Sequence, residues 1–152
     1  MTIEKAATAD SPILTRISME SKAYWGYTPE QMQGWAGDLT VSESYIDNNY
    51  VYKLVADDAI IGYYSYFKKD EKTIKLDNLF ILPEHINKGF GRLLMEDFLI
   101  RIRNTDAKRV VLDSDPNAER FYAKVGFKKV GEIPTAIPGR HLPVMEMELN
   151  AL

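Results

Sequence analysis

Apolar and polar residues near the middle of the chain fall into three adjacent strand-like stretches. Val51 to Ala56 and Ala59 to Phe67 are rich in Val, Ile and Tyr, and a third stretch runs from about Thr73 to Leu82. Asp57 and Asp58 separate the first two stretches, and the polar run KKDEK precedes the third. Because both connections are short, the pattern predicts an antiparallel meander whose first two strands form a hairpin.

The chain before this meander carries helix start signals. Thr2 to Ala7 is predicted to form a short strand, and the segment DSPILTRISMESK offers Asp10 or Ser11 as the N-cap of a helix. The segment TPEQ predicts a second helix, because Thr28 and the glutamine three residues later can form a capping box. A further short helix is predicted from Ser42 to Asn48.

The period of the pattern changes after the meander. Apolar residues recur there at three-and-four spacing, at Phe90, Leu93, Leu94, Phe98 and Ile102. This spacing predicts an amphipathic helix of roughly four turns. A buried-type strand (RVVLDS), a helix from Pro116 to Gly126 and two closing strands (FKKVGEI and PVMEMEL) follow. We therefore predict a mixed α/β fold of about seven strands, in which the antiparallel front half joins a right-handed parallel β-α-β crossover.

Composition narrows the class of protein. The chain has 152 residues, 45% of them hydrophobic, and shows neither a repeat nor a linker, so we predict a single domain over residues 1–152. The formal net charge of −3 gives no support to a nucleic-acid-binding role. The absence of cysteine excludes disulfides, thiolate metal ligands and a cysteine nucleophile.

Membrane and metal signals are weak in this sequence. The segment MTIEKAATADSP lacks the apolar run of a signal peptide, and the longest apolar run, Ala59 to Phe67, is too short to cross a bilayer. We therefore expect a cytoplasmic protein that does not bind a membrane. The two histidines, His85 and His141, are far apart and lack a clear carboxylate spacing, so we predict no metal.

Two glycines stand where the predicted long helix begins, in the segment ILPEHINKGFGRLL. Gly89 and Gly91 let backbone approach a ligand closely, and the N–H groups of a helix start attract anions. A dinucleotide fingerprint is excluded because Leu94 occupies its third glycine position, and Walker A is excluded because Arg92 and Leu93 follow the loop. On the glycines alone, a simple strand-to-helix connection stays an open alternative.

The segments LFILPEHINKGFGRLL and DPNAERFYAKVGF together resemble the two central motifs of the GNAT-type N-acetyltransferases, which bind acetyl-CoA. The resemblance implies helices on both faces of the sheet. It also implies that backbone N–H groups of the loop hold the coenzyme A pyrophosphate, here at Asn87, Lys88, Gly89, Phe90, Gly91 and Arg92. The pantetheine arm is expected to pair with the preceding strand end, here Leu79, Phe80 and Ile81.

Two positions depart from the family pattern. Ile86 stands where the family usually has Gln or Arg, and Asp115 replaces a frequent Asn in the second motif. Asp115 is still predicted to contact the cofactor, although a carboxylate accepts hydrogen bonds and cannot donate them. Lys88 and Arg92 are expected to add positive charge beside the phosphates, or else to be ordinary solvated surface.

The resemblance assigns Tyr122 the role of general acid. The departing thiolate is stabilised by a proton, and a phenol with a pKa near about 10 is protonated at neutral pH. The alternative is that Tyr122 only packs in the core. Asp77 is the first candidate for the base that deprotonates the amine; Glu84, His85 and a water chain are rivals.

The acceptor pocket is expected in the connection between the first helices and in the last hairpin, as is common in this family. Tyr24, Trp25 and Tyr27 can enclose an amine there, whereas the alternative for Trp25 and Tyr27 is that they fill the core. Arg140 is expected to bind a substrate carboxylate or to face solvent.

We therefore predict direct acetyl transfer to the primary amine of a small metabolite. A protein N-terminus or lysine is the second choice of acceptor. A non-catalytic acetyl-CoA sensor and a purely structural interaction domain are the alternatives from other classes. Exposed strand edges make a homodimer a further expectation.

Overall fold

The computed structural model describes residues 1–149. The strands in this part of the chain are β1 (Thr2–Lys5), β2 (Tyr50–Ala56), β3 (Ala59–Lys68), β4 (Thr73–Ile81), β5 (Arg109–Asp113), β6 (Lys128–Pro134) and β7 (His141–Glu148). Its α-helices are α1 (Ser11–Ala23), α2 (Pro29–Gly34), α3 (Ala36–Leu39), α4 (Glu43–Asn48), α5 (Phe90–Arg103) and α6 (Glu119–Val125). These bounds lie within a few residues of the predicted ones, except that the short helix α3 was not predicted.

The strands form one seven-stranded sheet in the order β1-β2-β3-β4-β5-β7-β6. The sheet is mostly antiparallel and has one parallel pair, β4 with β5, which confirms the predicted mixed α/β fold. The crossover helix of that pair is α5, as expected for a β-α-β unit. The last hairpin is inserted so that β7, rather than β6, lies beside β5.

Local sequence signals explain several connections. Asp57 and Asp58 have φ angles of 51° and 62°, the two positive values of a type I′ turn, and they join β2 to β3 as predicted. The capping box of α2 is present: Gln31 N donates to Thr28 Oγ1 (3.1 Å), and Thr28 N donates to Gln31 Oε1 (2.9 Å). Asp10 precedes α1 as predicted, but its carboxylate accepts from Ala7 N and Lys53 Nζ instead of capping the helix.

The described chain divides into two compact units. The first comprises Met1–Tyr66 with Asn78–Arg101, and the second comprises Phe67–Asp77 with the described chain from Ile102 onward. Fully buried side chains of the first unit include Leu14, Ile17, Leu54, Tyr63 and Phe98, and those of the second include Val110, Leu112 and Met145. The assignment of a single domain stays a prediction.

Helix α5 is anchored in the first unit through both its apolar and its polar faces. Phe98 is buried against Tyr64 and Tyr66, with ring centroids 5.5 and 5.2 Å apart. Tyr64 donates to Asp97 (2.6 Å), and Arg101 donates to the Tyr64 hydroxyl (3.1 Å). Burial raises the pKa of Tyr64 well above its ordinary value, so the phenol stays a donor. These contacts fix the helix whose first turn carries the candidate site.

Candidate active site

The loop before α5 has the backbone geometry of an anion-binding turn. Asn87 and Gly89 have φ angles of 65° and 84°, which a glycine adopts freely and an asparagine tolerates. The bond from Leu93 N to Gly89 O (3.1 Å) is the first of the helix. The amides of residues 90 to 92 therefore precede the helical ladder and are available to a ligand.

The space beside Gly89 is open. A Cβ built on this glycine would meet nothing within 4 Å. Glycine is therefore favoured here by the positive φ angle and not by a lack of space for a side chain. Lys88 is exposed at the same turn, and Arg92 forms an exposed pair with Glu96 (3.3 Å). Because surface ion pairs are weak, this pair leaves the Arg92 guanidinium accessible to a second anion.

Phe90 has a packing role in addition to its predicted backbone contact. Its ring is half-buried and meets the edge of the His85 ring at 5.9 Å between centroids. The contact links the 3-10 turn Pro83–His85 to the first residue of α5. The side chain of Phe90 thus fixes the entry of the chain into the helix.

The end of β4 continues beyond its ladder with β5. Parallel pairing joins Thr73–Lys75 to Arg109–Val111, which covers three of the nine residues of β4. Within residues 1–149, the predicted pantetheine-pairing segment of residues 79 to 81 lies outside that ladder. A strand edge left without a ladder presents backbone groups to an extended ligand.

Gly62 is a site-shaping residue that sequence reasoning missed. A Cβ at this position would lie 2.6 Å from Ile81 Cδ1 and 2.8 Å from Phe80 O, so only glycine lets the end of β4 approach β3 this closely. The signal was available, because a glycine inside the strand sequence AIIGYYSYF often marks a close backbone approach.

Tyr122 is held at the C-terminal end of α6. Phe127 N donates to Tyr122 O (3.1 Å) and Gly126, with a φ of 124°, donates to Ala123 O (3.1 Å), the bonds of a Schellman cap. The Tyr122 ring is buried between Phe121 and Phe127, at 5.2 and 5.8 Å between centroids. The YAKVGF segment is therefore a helix-ending motif that positions one phenol.

The electrostatics of Tyr122 favour its protonated form. Burial raises the pKa of the phenol well above 10, and the negative charge of Asp115 raises it further. A phenol in this environment keeps its proton throughout the neutral range. The same shift makes the phenol a weaker acid, so its assignment as general acid rests on the family resemblance and stays a prediction.

Asp115 and Arg140, predicted for different roles, meet in an ion pair. Arg140 Nη2 lies 3.2 Å from Asp115 Oδ2, and the two side chains are only 12% and 15% exposed. Asp115 also accepts from the backbone N and side-chain Nδ2 of Asn117 (2.9 Å each). The turn from Thr135 to Arg140 is ordered by bonds between its two ends, which aim the guanidinium inward. Arg140 therefore does not simply face solvent.

The three predicted acceptor aromatics fall into two pairs. Tyr24 and Trp25 are 49% and 45% exposed and meet edge to face at 5.2 Å, so Trp25 does not fill the core. Tyr27 instead pairs with Trp35 at 4.7 Å. The Lys22 ammonium lies over both rings of this second pair, 5.3 Å and 4.7 Å from their centroids. Lys22 and Trp35 were not foreseen, because no local pattern links them.

The candidate bases occupy different settings. Asp77 is exposed on β4, and Glu84 is exposed on the 3-10 turn that follows this strand. His85 is half-buried against Phe90. The choice among Asp77, Glu84 and His85 stays a prediction.

Residues 1–149 show neither a metal cluster nor a membrane-spanning helix. This part of the chain contains no group of three or more His, Cys, Asp or Glu side chains arranged to hold a metal ion. None of its helices is both long and apolar enough to cross a membrane. The expected lack of a metal and the cytoplasmic location stay predictions.

Comparison with known families identifies the class. A family model described as an acetyltransferase (GNAT) domain matches residues 26–150. The chain therefore belongs to the GNAT acetyltransferase family, and the resemblance of its two motifs is confirmed.

Known relatives and solved structures agree with this class. Uncharacterized N-acetyltransferases of Mycobacterium bovis and Mycobacterium tuberculosis are 35% identical over 75 residues, 47% of this chain and 48% of theirs. The chain thus spans about half the length of the curated relatives it matches.

A GCN5-related N-acetyltransferase from Rhodopseudomonas palustris has a TM-score of 0.79 at 18% identity, with 97% and 94% of the chains covered. The PaiA N-acetyltransferase from Thermoplasma acidophilum, solved with coenzyme A, has a TM-score of 0.74 at 20% identity, with 97% and 99% covered. At these identities the structures show the fold alone.

Proposed function

We propose that the protein moves an acetyl group from acetyl-CoA directly to the primary amine of a small metabolite, without a covalent enzyme intermediate. The observation that carries this proposal is the start of α5, where Gly89 has a φ of 84° and open space beside it. First-turn amides and the helix dipole favour an anion there. The residues present therefore fit the diphosphate of coenzyme A. The structurally similar PaiA N-acetyltransferase from Thermoplasma acidophilum was solved in complex with coenzyme A.

Most of the predicted cofactor-binding residues have a defined task in this proposal. The amides of Phe90, Gly91 and Arg92 bind the diphosphate, and the Lys88 ammonium adds charge from the same turn. The backbone of Leu79 to Ile81 pairs with the pantetheine arm, as expected for a strand edge outside a ladder. Bound acetyl-CoA supplies the activated thioester.

Tyr122 handles the proton of the departing group. As the amine nitrogen bonds to the acetyl carbon, the carbon–sulfur bond breaks and the Tyr122 hydroxyl donates its proton to sulfur. The raised pKa of this phenol keeps the proton in place before that step. The amine must first lose a proton, because an unperturbed alkylamine has a pKa of about 10.4. Asp77 is our first candidate for the base that accepts it.

The acceptor is placed by aromatic rings and one arginine. The Tyr27–Trp35 pair holds the Lys22 ammonium, so these ring faces suit a cation, but an amine acceptor must displace Lys22 to use them. Arg140 is committed to Asp115, so a substrate carboxylate must compete with that carboxylate for it. These contacts favour a small amine over an anionic acceptor.

A protein N-terminus or lysine is the second candidate acceptor. Tyr24 and Trp25 are large, nearly half exposed and adjacent, and such a pair offers a surface on which a peptide can lie. This feature distinguishes the second candidate from a sensor that only binds acetyl-CoA, since a sensor needs no acceptor surface.

An acceptor screen that detects released thiol tests the proposal. The chain is incubated with acetyl-CoA and either small amines or peptides, and the Tyr122→Phe variant is run beside it. We expect thiol release that depends on one class of amine and on Tyr122. Binding of acetyl-CoA without release for any amine would favour the sensor, and no binding at all would favour a structural domain.

A further inference from the structure

We propose that Ser21 is a positioning residue for the pantetheine arm, because it holds the open end of β4 through the Ile81 carbonyl. The inference deepens the proposed function and rests on it. Ser21 is on α1, sixty residues before Ile81, and its Oγ donates to the Ile81 carbonyl oxygen. The two residues are 5% and 8% exposed. Removal of the Ser21 hydroxyl would therefore take away a hydrogen bond that the Ile81 carbonyl makes inside the protein.

The direction of the Ile81 carbonyl follows from its neighbours. Leu82 N donates to Ile61 O (2.9 Å), so the polar groups of residue 82 face β3. Phe80 O is also on the β3 side, since it would lie 2.8 Å from a Cβ on Gly62. Successive residues of an extended strand direct their polar groups to opposite edges. The Ile81 carbonyl therefore points to the edge away from β3, where the arm is proposed to pair.

Ser21 and a ligand can use this carbonyl together. A backbone oxygen has two lone pairs and accepts two hydrogen bonds. The Ser21 hydroxyl takes one from the side of α1, which leaves the other for an amide N–H of the arm. On its opposite edge the strand end is held by the close approach of Gly62. Contacts from α1 and β3 thus hold the same strand end, α1 at Ile81 and β3 at Phe80 and Ile81.

Ser18 provides a matched control on the same helix. It is completely buried, donates to Leu14 O (3.1 Å) and bonds the Tyr63 hydroxyl. Ser18→Ala therefore removes a buried hydroxyl one turn away from Ser21, and the hydrogen bonds of this hydroxyl go to α1 and β3 rather than to the Ile81 carbonyl. Both alanine variants are expected to lower the melting temperature by similar amounts, because each loses a buried hydrogen bond.

The test measures coenzyme A affinity and local opening in the full chain. By calorimetry, Ser21→Ala should raise the Kd for coenzyme A about five- to tenfold, whereas Ser18→Ala should change it less than about twofold. Ser21→Thr keeps the hydroxyl and should recover most of the affinity. Hydrogen exchange of a peptide over residues 79–82 should be faster in Ser21→Ala than in Ser18→Ala, without any ligand.

The outcomes separate this inference from the proposed function. If the unaltered protein binds coenzyme A while Ser21→Ala and Ser18→Ala bind equally well, the role of Ser21 is wrong and the proposed function stands. Tighter binding by Ser21→Ala would also overturn it, because Ser21 would then compete with the arm. Unchanged exchange over residues 79–82 would show that Ser21 does not hold the strand end. If the unaltered protein takes up no coenzyme A, the proposed function and the ligand role of Ser21 both fail.

Discussion

The start of α5 and the end of α6 have been assigned complementary roles, but the sequence specifies them by different physical means. Around Gly89 the geometry comes from backbone torsions, and the side chains of Asn87 and Lys88 are exposed. Around Tyr122 the geometry comes from packing, with the ring buried between Phe121 and Phe127. One region presents main-chain amides, and the other presents a single hydroxyl.

This difference determines which substitutions each region tolerates. A site made of main-chain amides survives a change of side chain, so Ile86 in place of the family's Gln or Arg leaves the cradle intact. It does not tolerate a Cβ where φ is positive and a ligand must approach. A site made of one buried phenol depends on that side chain and on what packs around it.

Removal of the Tyr122 hydroxyl should have the largest effect on activity. We expect Tyr122→Phe to lower kcat by about a hundredfold or more, since general acids contribute roughly 10² to 10⁴ in rate. The Kd for acetyl-CoA should change less than about twofold. Tyr66→Phe, which removes another buried phenol, is the control and should keep full activity. Steady-state thiol release measures both, and an unaltered kcat in Tyr122→Phe would remove this residue from catalysis.

The ion pair between Asp115 and Arg140, whose carboxylate acts on Tyr122, should contribute more stability than the exposed ion pair at the start of α5. Arg140→Gln leaves the Asp115 carboxylate mostly buried without its cation, at a cost of about 2 kcal/mol of unfolding free energy. Arg92→Gln breaks an exposed pair with Glu96 and should cost less than about 0.5 kcal/mol. Urea unfolding compares the two variants, and equal losses would show that burial of the Asp115 pair carries no stability.

A methyl group at Gly89 tests the loop region directly. Gly89→Ala places a Cβ at a φ of 84° beside the proposed diphosphate, and we expect about a tenfold weaker Kd for coenzyme A. Gly26→Ala is a close match, because Gly26 has a φ of 85° and also has open space beside it. The control should show the same backbone strain with an unchanged Kd. A similar loss of affinity in both variants would assign the effect to strain rather than to the site.

A smaller effect is expected in alkaline solution, from a buried phenol beneath α5. Burial raises the pKa of Tyr66 to about 12, whereas an unfolded tyrosine titrates near about 10. The unfolded state therefore loses its proton first, so this residue's contribution to stability is complete below pH 10 and declines as pH rises toward 12. Tyr66→Phe should make the decline of unfolding free energy between pH 10 and 12 less steep. An identical slope in both proteins would contradict the shift.

Much of the fold could be predicted because its signals are local. The Thr28 capping box, the Asp57-Asp58 turn and the period of α5 each need only a few neighbouring residues, and all three were found as expected. The place of β7 between β5 and β6 was not predicted. Strand order depends on which faces pack together in three dimensions. The hydrophobic periodicity within one strand does not specify which other strand pairs with it.

The candidate site shows the same limit. Motif residues such as Gly89 and Tyr122 could be named from the sequence, because the family pattern surrounds them. The Asp115–Arg140 pair and the Ser21–Ile81 bond join residues that are far apart in the chain, so no local sequence pattern predicts them. Arg140 was expected to meet a substrate or solvent, and only the structure shows the buried carboxylate that it contacts.

Calorimetric titration of the folded chain with coenzyme A, beside a titration with pantetheine, decides whether the start of α5 binds a diphosphate. Pantetheine retains the arm and the thiol but has no diphosphate. We predict that coenzyme A binds and that pantetheine binds at least about tenfold more weakly, because the first-turn amides have no anion to hold. Equal affinities for the two compounds, or no detectable uptake of coenzyme A, would contradict the assignment of this turn.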